Sequence, residues 1–271
     1  MSTYSSFKLE VENYIAHLSF NRPEKANSLT KESWAEMKDA FESFSLREDV
    51  RVVVLSGEGK HFCAGIDLGY LMEVGQLTQT NCEGRKREKL FHHILYLQDT
   101  VSAIARCTKP VLAAIHRGCI GGALDIISAC DMRYASEDAY IVLKEIDMGM
   151  VADLGTLQRL PKLIPDGVAR EMAFTGRKMP AQEALQRGLV NSVSADKAAM
   201  MDEVMGIAAQ IAAKSPLSVR GTKEMMNYSR DHSVEEGLRY MASWNAAMLM
   251  SNDIQTAMQA QMSKQNPVFQ D

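Results

Sequence analysis

Lys109-Pro-Val-Leu-Ala-Ala-Ile-His-Arg-Gly-Cys-Ile-Gly-Gly-Ala-Leu-Asp125 is the stretch of this chain that decides the fold. Its apolar run at residues 111–115 predicts a buried strand. A glycine loop follows, and a helix is predicted over residues 122–129. The two adjacent glycines remove side-chain bulk from the turn, and the helix N-terminus adds the positive end of its dipole. The pattern is compatible with an anion-binding loop and equally with a tight turn that only requires positive φ, so the loop alone does not decide between them.

A second loop of the same kind is His61-Phe-Cys-Ala-Gly-Ile-Asp-Leu68, which follows a predicted strand at residues 51–56. A glycine in a strand-to-helix turn leaves backbone N–H groups free, and such groups can hold an oxyanion. Here too an ordinary tight turn is the alternative interpretation.

Three acidic residues stand out by their surroundings. Asp125 follows the first glycine loop, whereas Glu145 and Asp153 lie in a segment dominated by apolar and small residues. A carboxylate among apolar neighbours loses solvation, so its pKa rises toward neutral pH. Two such groups beside one substrate can remove a proton from one carbon and return one to another. The alternative for any single one of them is a cap or turn residue.

The order of predicted elements indicates an α/β fold of repeated β-β-α units followed by a helical C-terminal region. Strands are predicted at residues 14–20, 51–56, 111–115, 132–135, 139–143 and 189–193. Helices are predicted at residues 31–45 (capped by Thr30), 91–106, 122–129, 167–175, 181–187, 195–214 and 217–229, from Ser233, and from 252 onward. We expect a core over residues 1–195 and an oligomerisation region over 196–271. In that region Ile254, Met258 and Met262 form an apolar stripe that must pack on the core or on a partner chain.

Composition excludes several classes of function. The chain has 271 residues, 46% of them hydrophobic, and a formal net charge of −4, which does not favour nucleic-acid binding. No apolar run is long enough to span a bilayer. The five cysteines form no CxxC pair, and His92-His93 has no carboxylate cluster, so no metal site is expected. Cys63 and Cys119 are expected to fill space rather than act as nucleophiles.

The two loops and the acids together resemble the enoyl-CoA hydratase/isomerase (crotonase) superfamily. The similarity runs from about residue 7 to 262 and includes Asn21-Arg-Pro-Glu-Lys-Ala-Asn-Ser-Leu29 as an early motif on the CoA side. Within the superfamily the sequence is most similar to the Δ3,5-Δ2,4-dienoyl-CoA isomerases. The segments that carry this similarity are Cys130–Tyr134, Lys144–Asp147, Ala152–Pro161, Tyr228–Val234 and Ala242–Asn245.

The resemblance implies a role for each matching residue. The amides of Ile66 and Gly122 would form an oxyanion hole for the thioester carbonyl. Asp125 and Glu145 occupy the positions of the two catalytic glutamates of the hydratases, and Asp153 is the additional acid typical of the dienoyl isomerases. Residues expected to contact the substrate or its CoA are Lys25, Ala26, Ala64, Gly65, Ile66, Asp67, Leu68 and Gly122.

The expected reaction moves protons between C2 and C6 of a 3,5-dienoyl thioester to give the 2,4-diene. Glu145 is assigned to C2 and Asp153 to C6, while Asp125 orients or polarises the site. No cofactor is expected, because coenzyme A is part of the acyl-CoA substrate. The alternatives are an enoyl-CoA hydratase that uses Asp125 and Glu145 with water, and a non-catalytic oligomer that binds acyl-CoA.

The resemblance also implies a homotrimer or a hexamer built as a dimer of trimers. We expect no clear targeting signal. The location would be mitochondrial or peroxisomal in a eukaryote and cytoplasmic in a bacterium.

Overall fold

A computed structural model of the chain describes residues 4–271. Within this range the strands are β1 (Phe7–Glu12), β2 (Ile15–Phe20), β3 (Val52–Gly57), β4 (Val111–Ile115), β5 (Gly118–Ile120), β6 (Met132–Ser136), β7 (Tyr140–Val142), β8 (Lys178–Pro180) and β9 (Ser192–Ser194). The helices are α1 (Lys31–Leu46), α2 (Leu68–Leu77), α3 (Glu83–Arg106), α4 (Gly122–Ala129), α5 (Thr156–Arg159), α6 (Asp166–Thr175), α7 (Ala181–Gln186), α8 (Lys197–Ala212), α9 (Pro216–Ser229), α10 (Val234–Met248) and α11 (Asn252–Ser263).

Two sheets carry the fold. The larger has six strands in the order β1-β2-β3-β4-β6-β9, and the smaller has three in the order β5-β7-β8. In the larger sheet β1 runs antiparallel to β2, whereas β2, β3, β4, β6 and β9 pair in parallel. Parallel neighbours place their carboxyl ends at one edge of a sheet, where ligand sites of α/β proteins form. The loops that follow β3 and β4 therefore leave the sheet at the same edge.

Both faces of the larger sheet are covered, which explains the unbroken apolar strands. All six residues of β3 are buried. One face belongs to the main core, which also contains the large side chains Trp34, Phe41 and Phe44 of α1. The opposite face is covered by α8, whose Met200, Val204, Ala208 and Ala212 pack in a second apolar cluster with strand residues. A strand buried on both faces has no polar alternation to show in the sequence.

The predicted α/β class is confirmed, and most of the predicted elements lie within a few residues of their observed positions. Thr30 caps α1, and its side chain accepts a hydrogen bond from the amide of Ser33. The predicted helix at 91–106 is longer and begins at Glu83. The predicted strand at 189–193 is displaced to β9, because Leu189 and Val190 are buried in the main core directly after α7. The strands β1, β5 and β8 and the helices α2 and α5 were not predicted.

Candidate active site

The two glycine loops lie against each other. The amide of Cys63 donates to the carbonyl of Gly118 at 3.1 Å, and the amide of Ile120 donates back to the carbonyl of Cys63 at 3.1 Å. Gly65 is the point of closest approach, with φ of +83°. A Cβ at this position would lie 2.5 Å from the carbonyl oxygen of Ile120 and 3.1 Å from the amide nitrogen of Gly122. Only glycine fits there without moving one of the loops.

The backbone amides of Ile66 and Gly122 lie close to each other. The backbone groups on either side of the Ile66 amide are already paired. The amide of Leu29 donates to the Gly65 carbonyl at 2.8 Å, and the amide of Asp67 donates to the Leu29 carbonyl at 3.0 Å. Gly122 begins α4, where first-turn amides have no partner within the helix. Among residues 4–271 neither amide has a hydrogen-bond acceptor. A Cβ at Gly122 would lie 3.8 Å from the Ile66 nitrogen, so two unpaired donors stand together.

Glu145 lies beside this pair of donors. It begins the short 3-10 turn Glu145–Met148 after β7, and its Oε1 would be 3.1 Å from a Cβ placed on Gly121. Its other oxygen, Oε2, is buried and has no hydrogen-bond partner among the described residues. Burial raises the pKa of Glu145, and the negative charge of Asp153 raises it further. An unpaired buried carboxylate oxygen next to two free N–H donors is suited to removing a proton from a bound carbonyl compound.

Asp125 is buried more deeply than either of the other acids. It lies on α4, only 1% exposed, and its Oδ1 accepts two hydrogen bonds of 2.7 Å from the amide and the hydroxyl of Thr156. Burial raises the pKa of Asp125 to about 7 against the opposing effect of these hydrogen bonds, and the charges of Glu145 and Asp153 also raise it. The Oδ1 of Asp125 is therefore hydrogen-bonded to the first residue of α5, and α5 directly follows the loop that carries Asp153.

Asp153 lies on the wall of a cavity of about 540 Å³ that is also lined by Gln98, Ser102 and Arg159. The sequence suggested a dry setting for this residue, and that expectation is wrong, because Asp153 is exposed in the single chain and its neighbour Val151 is 74% exposed. Partial desolvation by the cavity wall nevertheless raises the pKa of Asp153. The charge of Asp153 acts on both other acids, so the three predicted carboxylates share one electrostatic neighbourhood.

The early motif supports the loop around Gly65. Asn27 is buried, and its side-chain amide donates to the carbonyls of Glu58, His61 and Phe62 at 2.8, 2.9 and 3.1 Å. The carbonyl of Ala26 accepts from the amide of Ala64 at 3.0 Å. This bond joins the early motif to the loop that carries Gly65 and Ile66.

The remaining predicted contact residues differ in their surroundings. Asp67 accepts from the hydroxyl of Ser28 at 2.9 Å, and its Oδ1 caps α2 through the amide of Gly69 at 2.9 Å. These bonds make Asp67 a structural link between the two segments. Lys25 is exposed, and Leu68 is 62% exposed at the start of α2. Both side chains are free to meet a ligand that approaches along this surface.

Comparison with known proteins identifies the family. The family model described as enoyl-CoA hydratase/isomerase matches residues 10–271. This chain belongs to the enoyl-CoA hydratase/isomerase family. Two relatives named Δ(3,5)-Δ(2,4)-dienoyl-CoA isomerase are similar over nearly the whole chain. The peroxisomal protein of Arabidopsis thaliana is 45% identical, covering 99% of this chain and 98% of its own, and the mitochondrial protein of Homo sapiens is 45% identical, covering 95% and 79%.

A solved structure supports the same membership. The enoyl-CoA hydratase of Bacillus anthracis superposes with a TM-score of 0.87 at 28% identity, covering 98% of this chain and 99% of its own. The crotonase-like fold predicted from the motifs is thereby confirmed.

Several other groups near the site have a structural role. Burial raises the pKa of Cys63 to about 12 and that of Cys119 well above its usual range, which makes both poor nucleophiles. The Nε2–H of His116 donates to the Gly59 carbonyl at 3.0 Å, and burial lowers the pKa of His116 to about 4. Within residues 4–271 no cluster of three or more His, Cys, Asp or Glu side chains is arranged to hold a metal ion. No helix in the described range has the length and apolar character needed to cross a membrane.

Sequence reasoning missed the residues that support the acids. Thr156 holds Asp125, Gln98 holds the main chain of Asp153, and Arg159 holds Leu154. Gly155 was the one available signal, since a glycine directly before a helix start indicates a special backbone conformation. The partners of Thr156 and Asp153 lie 31 and 55 residues away, so no local pattern reveals them.

Proposed function

We propose that this member of the family converts 3,5-dienoyl-CoA to 2,4-dienoyl-CoA. The observation that carries the proposal is the third carboxylate, Asp153, in the electrostatic neighbourhood of Glu145 and Asp125. C2 and C6 are the two ends of a five-carbon stretch of the substrate. Two carboxyl groups at different positions can each serve one of these carbons. The two dienoyl-CoA isomerases of 45% identity support the same substrate class.

In the proposed reaction the carboxylate of Glu145 removes a proton from C2. The electron pair left at C2 delocalises into the thioester carbonyl and the diene, and the amides of Ile66 and Gly122 donate to the developing oxyanion. Asp153 then gives a proton to C6. The C3=C4 and C5=C6 bonds become C2=C3 and C4=C5, and Glu145 and Asp153 recover their protonation states by exchange with water. The thioester supplies the acidity of C2 and the backbone amides stabilise the enolate, so the proposed reaction needs no redox cofactor and no metal.

The proposed role of Asp125 is to position the site rather than to exchange protons with the substrate. Its Oδ1 is occupied by Thr156, and the residue is only 1% exposed. A hydratase would need this carboxyl to activate a water molecule, as the hydratase alternative assumes. The two hydrogen bonds from Thr156 therefore favour the isomerase over the hydratase.

The CoA part of the substrate is assigned to the surface formed by residues 25–26 and 64–68. Exposed Lys25 offers a cation to phosphate, and Leu68 offers apolar contact.

We further propose that residues 1–195 form the core and residues 196–271 an oligomerisation region, with a homotrimer or a dimer of trimers as the assembly. For a eukaryotic source we propose a mitochondrial or peroxisomal location, as the names of the relatives state for those proteins, and for a bacterial source the cytoplasm.

The test compares the parent enzyme with Asp153→Asn on a 3,5-dienoyl-CoA and on a 2-enoyl-CoA. The parent should convert the dienoyl substrate, which is followed by absorbance of the conjugated product. Asn keeps the shape but cannot deliver the proton, so conversion should fall about a hundredfold, the scale of general acid–base help. Exchange of the C2 hydrogen in deuterated water should survive in the variant. A parent that only hydrates 2-enoyl-CoA, or a variant that isomerises at the parent rate, would overturn the proposal.

A further inference from the structure

The loop that carries Asp153 is held from α3 as well as from α4. The side-chain amide of Gln98 donates to the carbonyl of Asp153 at 2.6 Å. The guanidinium of Arg159 donates to the carbonyl of Leu154 at 3.2 Å and to the hydroxyl of Ser102 at 3.0 Å. Side chains therefore bind two successive carbonyls of the loop. Gln98 of α3 binds the carbonyl of Asp153, and Arg159, which is itself bonded to Ser102 of α3, binds the carbonyl of Leu154.

Gln98 and Ser102 are four residues apart on α3, so they lie on the same face of that helix. Gly155 lets Arg159 approach the loop. It has φ of +122°, and a Cβ there would lie 1.9 Å from Nη1 of Arg159, so any side chain would displace the guanidinium. The next residue, Thr156, is held by Asp125 of α4. Side chains from other segments thus hold the backbone at Asp153, Leu154 and Thr156.

The carboxyl of Asp153 itself has no such support. Among residues 4–271 it makes no hydrogen bond or ion pair with another residue's side chain, and it is exposed to the cavity. Its position therefore depends on its main chain, and the main chain at Asp153 is fixed by Gln98. Glu145 and the amides of Ile66 and Gly122 lie on other segments and do not depend on this contact.

We propose that Gln98, Ser102 and Arg159, here called the α3 clamp, are positioning residues that set where Asp153 delivers its proton. This inference rests on the proposed function. Proton delivery to a carbon requires near-contact geometry, and a misplacement of about 1 Å can cost about a hundredfold in rate. The clamp thus acts on the second proton transfer and leaves the first unaffected.

The test uses Gln98→Leu, which removes the amide donor at similar volume, with Gln186→Leu as the matched control. Gln186 is exposed at the end of α7, and its side chain makes no hydrogen bond among the described residues. In the Gln98→Leu protein we expect conversion of the 3,5-diene to fall about tenfold or more. Exchange at C2 in deuterated water and the melting temperature should stay at the parent values. The Gln186→Leu protein should match the parent in all three measurements.

A second variant, Gln98→Glu, tests the hydrogen bond itself. An ionised Glu has no proton to donate to the Asp153 carbonyl, whereas a protonated Glu restores the donor. The loss of conversion relative to the parent at the same pH should therefore be smaller at low pH than at high pH. A loss that does not change with pH, conversion at the parent rate in Gln98→Leu, or equal loss of exchange and conversion would overturn the inference. Failure of the proposed function would appear differently, as a parent enzyme that does not isomerise the 3,5-diene, whereas failure of this inference appears only in the Gln98 variants.

Discussion

At the scale of single residues, the raised pKa values of Glu145 and Asp153 determine how the reaction should respond to pH. In the proposed reaction Glu145 must be ionised to accept the C2 proton, and burial raises its pKa. Asp153 must be protonated to donate at C6, and the raised pKa of this residue extends its protonated form to higher pH. The first requirement makes activity rise with pH through the pKa of Glu145. The second makes it fall with pH through the pKa of Asp153.

We therefore predict different pH profiles for the two measurable steps. Conversion of the 3,5-diene should follow a bell-shaped curve, because it needs both acids in opposite states. Exchange at C2 should show only the rising limb, because it needs Glu145 and the oxyanion donors alone. In Glu145→Gln exchange should be lost at every pH while binding of the CoA ester is retained. A bell-shaped exchange curve, or exchange at the parent rate in Glu145→Gln, would contradict the assignment of this residue to C2.

At the scale of elements, the donor pair exists because the loops after β3 and β4 meet at Gly65. We predict that Gly65→Ala displaces the Ile66 amide, because the added Cβ would lie 2.5 Å from the Ile120 carbonyl at a φ of +83°. Loss of one oxyanion donor typically lowers the rate about a hundred- to a thousandfold. Conversion and C2 exchange should fall together, unlike in the Asp153 variant, since both pass through the same oxyanion.

The matched control for this prediction is Gly75→Ala in α2. A Cβ at Gly75 meets no atom within 4 Å, and alanine favours a helix interior over glycine. Its rates should equal those of the parent, as measured by the same exchange and conversion assays. A Gly65→Ala protein that folds and retains the parent rate would contradict the prediction, because either the loop tolerates the methyl group without moving or the Ile66 amide is not required.

The elements also show what the sequence could and could not predict. Thr30 was recognisable as the cap of α1, and the apolar runs of β3 and β4 were recognisable as buried strands. β1 alternates buried and more exposed residues along Phe7–Glu12, yet it is a short edge strand with no turn motif before it. α2 contains Gly69 and Gly75, which lower helix propensity and hide it.

The same division holds for the site. Gly65, Gly122 and the three acids follow from local motifs, because a glycine turn or an acid among apolar residues is visible in a short window. The contacts of Thr156 with Asp125 and of Gln98 with Asp153 are not visible in this way. They join segments whose distance in space is set only when α3, α4 and the acid-bearing loop have packed together.

At the scale of the whole molecule, the helices α10 and α11 and the turn between them leave apolar side chains in contact with solvent. Met250, Met258 and Met262 are 86%, 58% and 76% exposed, and Leu238 on α10 is 64% exposed. Scattered apolar residues are common on protein surfaces, but a run of them on successive helices indicates an interaction surface. Burial of apolar surface stabilises an interface by roughly 25 cal/mol per Å². This surface is where we expect the subunits of the proposed assembly to contact each other.

We predict that the protein in solution has three or six times the 30.1 kDa mass of one chain, as measured by light scattering at micromolar concentration. Met258→Glu, which places a charge on the apolar stripe of α11, should shift the distribution toward smaller species because the carboxylate would lose its hydration in the interface. Gln259→Glu adds the same group at the next position, which is also exposed but outside the stripe, and should leave the mass unchanged. A parent protein that is only 30.1 kDa would rule out the assembly. Equal dissociation in both variants would show that added charge, rather than the stripe, controls the association.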